Sequence, residues 1–281
     1  MKKVLGIVAS KRRLGNCEIM VKEISRRITV PHELQLLRLP DFRVAYCTGC
    51  FRCLVGDRKC VLMDDLEQIL EAIASSDAII LAVPTYVLGA PACVKTLLDR
   101  ALSFYGKGDR LWGKPAVGIG VAGREGKEGT TLLDLERFFA VLQMENRMSR
   151  IVYAAFPGEV VLSEPNREVA GELARALFGE LEQRDLPRCP LCGGETFRFL
   201  SDDRVRCMLC SCSATLTREN DRTTVKAESG EHQFVMGRQE AYEHRDHLKG
   251  GRSRFEAEKE RLKAVVVGYA GEGCWIKPER E

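Results

Sequence analysis

Nine of the twelve cysteines of this 281-residue chain fall in two short segments. Cys47, Cys50, Cys53 and Cys60 form a run of the type C-x2-C-x2-C-x6-C. Cys189, Cys192, Cys207 and Cys210 form two C-x2-C pairs fourteen residues apart, with Cys212 close behind. Cys17, Cys93 and Cys274 stand alone. Thiolates crowded in this way are soft, anionic ligands, and in a reducing compartment they favour metal over disulfide. The start of the chain, two lysines followed by the strand-like VLGIVA, has no small-residue cleavage site, and the expectation is a cytoplasmic protein.

The first run places three thiolates on one tight loop and a fourth within reach. A [4Fe–4S] cube needs four thiolates converging from a compact backbone, and short ferredoxin runs begin with the same two gaps. Gly49 helps the chain to wrap closely. Zinc also takes four thiolates, but gaps this short fit a cube better, and a set of free thiols or a redox pair is the remaining alternative. The second group looks like a zinc ribbon, in which CxxC knuckles supply a tetrahedral sulfur site. Rubredoxin-like iron would use the same four sulfurs. A segment of this length has little core of its own, and zinc binding can contribute on the order of 10–16 kcal/mol to its folding. Cys212 reads as a spare thiol or a substitute for Cys210, and the His244/His247 pair reads as solvated surface.

These groups must be held by the surrounding elements. Residues 4–9, 34–39, 78–83, 116–121 and 151–155 read as strands. Helical patterns follow Asn16, run from 66 after Asp64 and Asp65, from about 90 to 103 and from 131 to 142, and begin again near Ser163 and Pro165. Alternation of five strands with helices predicts an α/β fold with a doubly wound five-stranded parallel sheet. The pattern changes at Arg184-Asp185-Leu186-Pro187, giving three expected units: 1–186, a cysteine-paired module of short strands at 187–228, and a charged helical tail at 229–281. In the tail, Phe255, Leu262 and Val265 are candidate packing anchors.

Doubly wound sheets bind ligands beyond the carboxyl ends of their strands. The loop after the first strand, Ser10 to Cys17, leads into a helix, so its amides can cradle an anion; Ser10 and Asn16 add side-chain donors and Lys11, Arg12 and Arg13 add charge. An ordinary solvated strand–helix loop is the alternative, since neither GxGxxG nor a Walker sequence is present. Pro84-Thr85-Tyr86-Val87-Leu88-Gly89 would build a rigid loop against a planar ring, with Tyr86 covering it or merely packing. Ala122-Gly123-Arg124-Glu125-Gly126 offers close backbone approach or a mobile lid.

Four segments in this order, GIVASKRRLGNCE, the cysteine run with MDDLEQIL, DAIILAVPTYVLGAPACVKTLLDR and AGREGKEGTT, resemble the NADPH-dependent FMN reductases of flavodoxin-like fold, in particular their iron–sulfur flavoprotein branch. The resemblance covers residues 1 to about 183. It implies FMN phosphate at Ser10, Arg12, Gly15, Asn16 and Cys17, and the isoalloxazine between Pro84–Gly89 and Ala122, Gly123 and Gly126. It also implies a [4Fe–4S] cluster at Cys47, Cys50, Cys53 and Cys60. Two departures stand out: Cys17 replaces a common serine or threonine, and Lys11 replaces the usual proline.

The implied activity is electron transfer between NAD(P)H, or a ferredoxin-like protein donor, and an acceptor, through FMN and the cluster, in a homodimer or homotetramer. No residue stands out as a general acid or base. The alternatives are a non-catalytic redox-sensing or partner-binding protein and a plain FMN or quinone reductase without iron. With 43 basic and 40 acidic residues, net charge +3, the chain lacks the basic excess of a protein held to nucleic acid by phosphate contacts. No stretch reads as membrane-spanning: the most apolar one, 78–94, is broken by Pro84, Gly89 and Pro91.

Overall fold

The computed structural model describes residues 1–54, 59–180, 186–219, 222–228, 237–270, 272–274 and 276. The strands β1 (Lys2–Val8), β2 (His32–Arg38), β3 (Ala78–Pro84), β4 (Pro115–Ala122) and β5 (Glu145–Tyr153) form one sheet in the order β2-β1-β3-β4-β5. Every pairing is parallel. This is the flavodoxin-like order, which reverses direction between β1 and β3.

The period of two along a strand divides the apolar residues between two core layers. Leu5, Ile7, Ile79, Leu81 and Val83 pack with Leu70, Leu97 and Phe138 on one face. Val4, Val8, Ala78, Ile80 and Ala82 pack with Met20, Ile24 and Leu173 on the other. The helices α2 (Leu66–Ser75), α3 (Ala92–Asp99) and α5 (Thr131–Val141) cover the first face, while α1 (Asn16–Arg27) and α6 (Glu164–Phe178) cover the second; a one-turn α4 (Gly108–Leu111) precedes β4. Because β3 is covered on both sides it is apolar throughout, as its sequence predicts.

Two elements depart from expectation. β5 starts at Glu145, not Ile151, because its first half is a polar edge strand whose ladder to β4 needs no apolar face. The helix expected to 103 ends at Asp99, and a 3-10 helix continues over Ala101–Lys107. Leu181 and the Arg184-Asp185 junction lie outside the described residues.

A second sheet is an antiparallel meander of β6 (Phe197–Phe199), β7 (Arg204–Cys207), β8 (Ser213–Glu219) and β9 (Arg222–Ala227). It rests on α5, where Arg137 Nη2 donates to Met208 O at 3.2 Å. Glu136 is buried at the same contact, and burial, with Glu195 and Cys207 nearby, pushes its carboxyl up to about 7. Helix α7 (Arg238–Val267) is anchored at its first turns: Arg238 pairs with Asp109, and the Tyr242 hydroxyl donates to Asp109 Oδ1 at 3.0 Å. Phe255, Leu262 and Val265, expected as anchors, are exposed, as are residues 253–270 throughout. This outer part of the helix carries i,i+3 ion pairs instead, Lys259–Glu256 and Arg261–Glu258. Among the described residues no helix is long and apolar enough to cross a membrane.

The seating of α1 on β1 fixes the loop between them. A Cβ on Gly6 would lie 2.3 Å from Val21 Cγ1 and 2.9 Å from Leu36 Cδ2, so only glycine permits this approach. Gly6→Ala is expected to cost about 1–3 kcal/mol in urea unfolding, the usual price of overpacking; an unchanged midpoint would contradict this reading of the β1–α1 contact.

Candidate functional site

The first loop leaves β1 beside β3, with Ala9 N bonded to Ala82 O at 2.9 Å. It delivers the first turn of α1, whose amides have no partner inside the helix. Ser10 is buried and its Oγ accepts from Arg12 N at 3.3 Å, leaving its own hydrogen to donate. Arg12 and Arg13 are exposed, whereas Lys11 turns aside to Asp41 at 3.6 Å and to Pro40 O. Glu18 would oppose an anion here, but it is neutralised. Burial acts against its ionisation, yet Lys22, the Leu14 amide and Arg38 together outweigh that and hold its pKa below the usual range.

Two expected phosphate ligands do something else. The Asn16 side chain donates to Phe156 O at 2.9 Å and accepts from Gly158 N at 2.9 Å, so it ties the loop after β5 to the first loop. The Cys17 thiol points into the core beside Met20 and Val21, and burial pushes it up to about 12.

The loop after β3 closes on itself. Tyr86 N donates to Gly89 O at 2.8 Å and Gly89 N to Tyr86 O at 3.2 Å, while Val87 and Leu88 have φ of 48° and 62°. This is the type I′ geometry normally filled by Asn and Gly. For a β-branched residue it is an outlier, and such backbone strain costs of order 1–3 kcal/mol per residue. The neighbouring loop after β4 holds the turn in place. Leu88 O accepts from Thr130 N at 2.8 Å, Asp134 Oδ2 accepts from Ala90 N at 3.0 Å and from Thr130 Oγ1 at 3.0 Å, and Thr85 Oγ1 bonds Thr131 Oγ1 at 2.8 Å. Gly129, with φ of 51°, is required at this junction, since a Cβ there would lie 2.2 Å from Leu88 O. Tyr86 is half exposed beside the turn. Ala122 is buried at the end of β4, while Gly123 and Gly126 sit in open space beyond it.

The first cysteine run leaves the carboxyl end of β2, at the same sheet edge. Cys47 and Cys50 are exposed, and Cys53 and Cys60 half-buried. Gly49 and Phe51 adopt left-handed φ of 65° and 55°, so the backbone turns sharply between Cys47 and Cys53. Gly49 N donates to Cys47 Sγ at 3.4 Å, and the Arg52 amide with the Thr48 hydroxyl lowers the pKa of Cys50. Burial raises the Cys53 thiol, and the charges of Cys60, Cys50 and Cys47 raise it further. Residues 55–58, between Cys53 and Cys60, lie outside the described residues.

The second group is built differently. Cys189, Cys192, Cys207 and Cys210 place their sulfurs within 4.8 Å of one another, the only such His/Cys/Asp/Glu set among the described residues. Gly193 N donates to Cys189 O at 2.8 Å and Ser211 N to Cys207 O at 3.0 Å, so each CxxC closes as a knuckle. Cys212 is buried 3.3 Å from Cys189, in contact with the set instead of remote from it. A tetrahedral ion with metal–sulfur bonds of about 2.3 Å draws its sulfurs together this tightly. A four-iron cube would stand between its thiolates and keep them farther apart, and the first run forms no set this tight.

The composition of the chain did not reveal Asp134, Glu159, Asp64 or Arg100. Asp134 joins two loops, and Glu159 Oε2 accepts from Ala155 N and Phe156 N at 2.6 and 2.8 Å to fix the turn after β5. Asp64, read as a helix-start acid, does accept from Leu66 N at 3.2 Å but also pairs with Arg100.

The profile of the NADPH-dependent FMN reductase family matches residues 2–155. An iron–sulfur flavoprotein of Archaeoglobus fulgidus is 31% identical over 159 residues, covering 56% of this chain and 71% of that protein. One of Methanocaldococcus jannaschii is 33% identical over 146 residues, covering 50% and 74%. A solved structure described as a flavone reductase shares the fold over 99% of this chain and 100% of its own, with a TM-score of 0.72 and 17% identity.

Val87 is fully exposed, so its strained side chain contributes no packing to the fold. Val87→Asn, which suits left-handed φ, is expected to raise thermal stability by about 1 kcal/mol while changing the surface that the loop presents to a ligand. A loss of stability would show that the turn is not strained.

Proposed function

This chain belongs to the NADPH-dependent FMN reductase family, and on that basis we propose that it is an iron–sulfur flavoprotein passing electrons between a nicotinamide or ferredoxin-like donor and an acceptor. The family makes it an FMN-dependent oxidoreductase, which sets aside the purely sensory alternative. The observation that carries the finer reading is convergence. The loops after β1, β3 and β4 and the four-cysteine run all emerge at the carboxyl edge of one parallel sheet.

The residues fit FMN. Ser10, the α1 amides and Arg12 would hold its phosphate, with Gly15 permitting the close turn into the helix. Pro84 to Gly89, stiffened by the Val87-Leu88 turn and by Asp134, would face the ring on one side, and Ala122, Gly123 and Gly126 on the other. FMN when bound takes up electrons as a pair and releases them singly, which is what coupling a hydride donor to a one-electron centre requires. The chain's own part is to orient the ring and to keep its phosphate neutralised.

Cys47, Cys50, Cys53 and Cys60 fit a [4Fe–4S] cluster by donor chemistry, by the amide of Gly49 donating to Cys47 Sγ and by forming no tight single-ion set. Cys189, Cys192, Cys207 and Cys210 fit a single tetrahedral ion, which we assign to zinc as the fold-holding metal of residues 187–228. We further propose that the protein acts as a homodimer or homotetramer and within the cytoplasm.

Anaerobic purification with quantification of flavin, iron, acid-labile sulfide and zinc tests the reading. About one FMN, four iron, four sulfide and one zinc per chain are expected. Flavin and zinc without iron after cluster reconstitution would reduce the protein to a plain FMN reductase.

A further inference from the structure

The two CxxC knuckles of the second cysteine group are built to one plan. In the first, Gly193 N donates to Cys189 O at 2.8 Å and Cys189 N to Gly194 O at 2.9 Å. In the second, Ser211 N donates to Cys207 O at 3.0 Å and Cys207 N to Cys212 O at 2.9 Å. Gly193 and Ser211 share the left-handed turn, with φ of 72° and 64°. Cys212 therefore stands where the first knuckle has Gly194. That place looks onto the metal ligands: a Cβ on Gly194 would lie 3.2 Å from Cys192 Sγ and 3.3 Å from Cys207 Sγ, the leading cysteine of the opposite knuckle. Cys212 carries a side chain at the matching place, and its Sγ lies 3.3 Å from that of Cys189, again the leading cysteine of the opposite knuckle.

A fifth thiol has no part in a four-coordinate site. Cys189, Cys192, Cys207 and Cys210 already supply the sulfurs, all within 4.8 Å of one another. A buried cysteine often serves as a small apolar residue, and an alanine would do the same. That role does not account for the thiol's direction. It is set against a ligand sulfur, and a bond of about 2 Å between the two needs them to close by only about 1 Å. The two sulfurs also differ in chemistry when an ion is bound. A coordinating cysteine is deprotonated, whereas a free thiol is mostly protonated at neutral pH. An oxidisable thiolate beside a resolving thiol is the arrangement of redox-sensing cysteines. Cys207 and Cys210 are sealed, while Cys192 is half-buried and Cys212 is 8% exposed, so a small oxidant enters from that side.

We propose that Cys189 and Cys212 are a peroxide-driven thiol switch, whose disulfide removes one ligand from the four-cysteine set and releases its ion. This rests on the zinc reading of that set. The Cys189 thiolate attacks the peroxide: an S–O bond forms, the O–O bond breaks and hydroxide leaves. Cys212 then attacks the sulfenic sulfur: an S–S bond forms, the S–O bond breaks, and the departing hydroxide leaves as water with the Cys212 proton. Together the two sulfurs lose two electrons and the peroxide gains two. Zinc is left with Cys192, Cys207 and Cys210 and dissociates. A thiol reductant opens the disulfide by exchange and lets the ion return.

The test uses the full-length holoprotein, with Cys212→Ser and Cys212→Ala alongside. Each is treated with hydrogen peroxide, desalted, and assayed for retained zinc by elemental analysis and for disulfides by tryptic mapping with fragmentation. All three should carry equal zinc before treatment. The wild type is expected to lose zinc about tenfold faster than either variant, because its resolving thiol is already in place. It should also yield the peptides 189–198 and 207–218 joined through Cys189 and Cys212. Dithiothreitol with added zinc should restore both thiols and metal. Equal rates of zinc loss in the wild type and the variants overturn the proposal. So does a disulfide joining Cys192 to Cys207, the other close pair at 3.5 Å, in place of the expected one. Variants without zinc before treatment overturn it too, by making Cys212 a ligand. A wild type that holds no zinc after reconstitution is a different failure, that of the zinc reading itself.

Discussion

A parallel sheet buries both its faces, so every connection must cross over through a helix and every strand must deliver its carboxyl end to the same edge. In this chain that constraint collects four loops and a cysteine run at one place. β3, apolar on both faces, is the member on which the arrangement depends. It separates the two core layers, pairs with β1 and β4, and marks the point where the strand order reverses. The crevice between the loops after β1 and β3 follows from connectivity before any side chain is considered.

Connectivity brings the loops together, but polar contacts make them rigid. Asn16 spans from α1 to the turn after β5, Asp134 spans from α5 to the turn after β3, and Asp64 with Arg100 closes the cysteine run. Each joins segments distant in sequence and accepts from a backbone amide of the segment it holds. The strained Val87-Leu88 turn survives because Thr130 and Asp134 hold it, which is where a protein is expected to store strain if the loop must meet a ligand in one shape. The two sulfur groups divide along similar lines. The second is drawn tight around the space for a single ion and sits with its own small sheet against α5; the first follows β2 and forms no such tight set.

The sequence was informative wherever the governing interaction is local. Short cysteine gaps, the two-faced apolar run of β3 and the Ser163-Pro165 helix start are all contained in a few residues and are all found in the fold. It was uninformative where partners are remote. Asp134 meets Ala90 across 44 positions and Asp64 meets Arg100 across 36, so neither residue carries a signal of its role. Asn16 and Cys17 were legible as loop residues, but the directions of their side chains depend on α1 packing against the sheet. The early start of β5 was hidden for a related reason: an edge strand is specified by its ladder, and its polar residues look like loop.

The central claim is that flavin and iron–sulfur centre form one electron-transfer unit at the carboxyl edge. An anaerobic reductive titration, followed by flavin absorbance and low-temperature EPR on the same samples, addresses it directly. The account predicts uptake of about three electron equivalents per chain, two with flavin bleaching and one with a reduced-cluster signal. Uptake of about two equivalents, all by flavin and with no cluster signal at any stage, would contradict it.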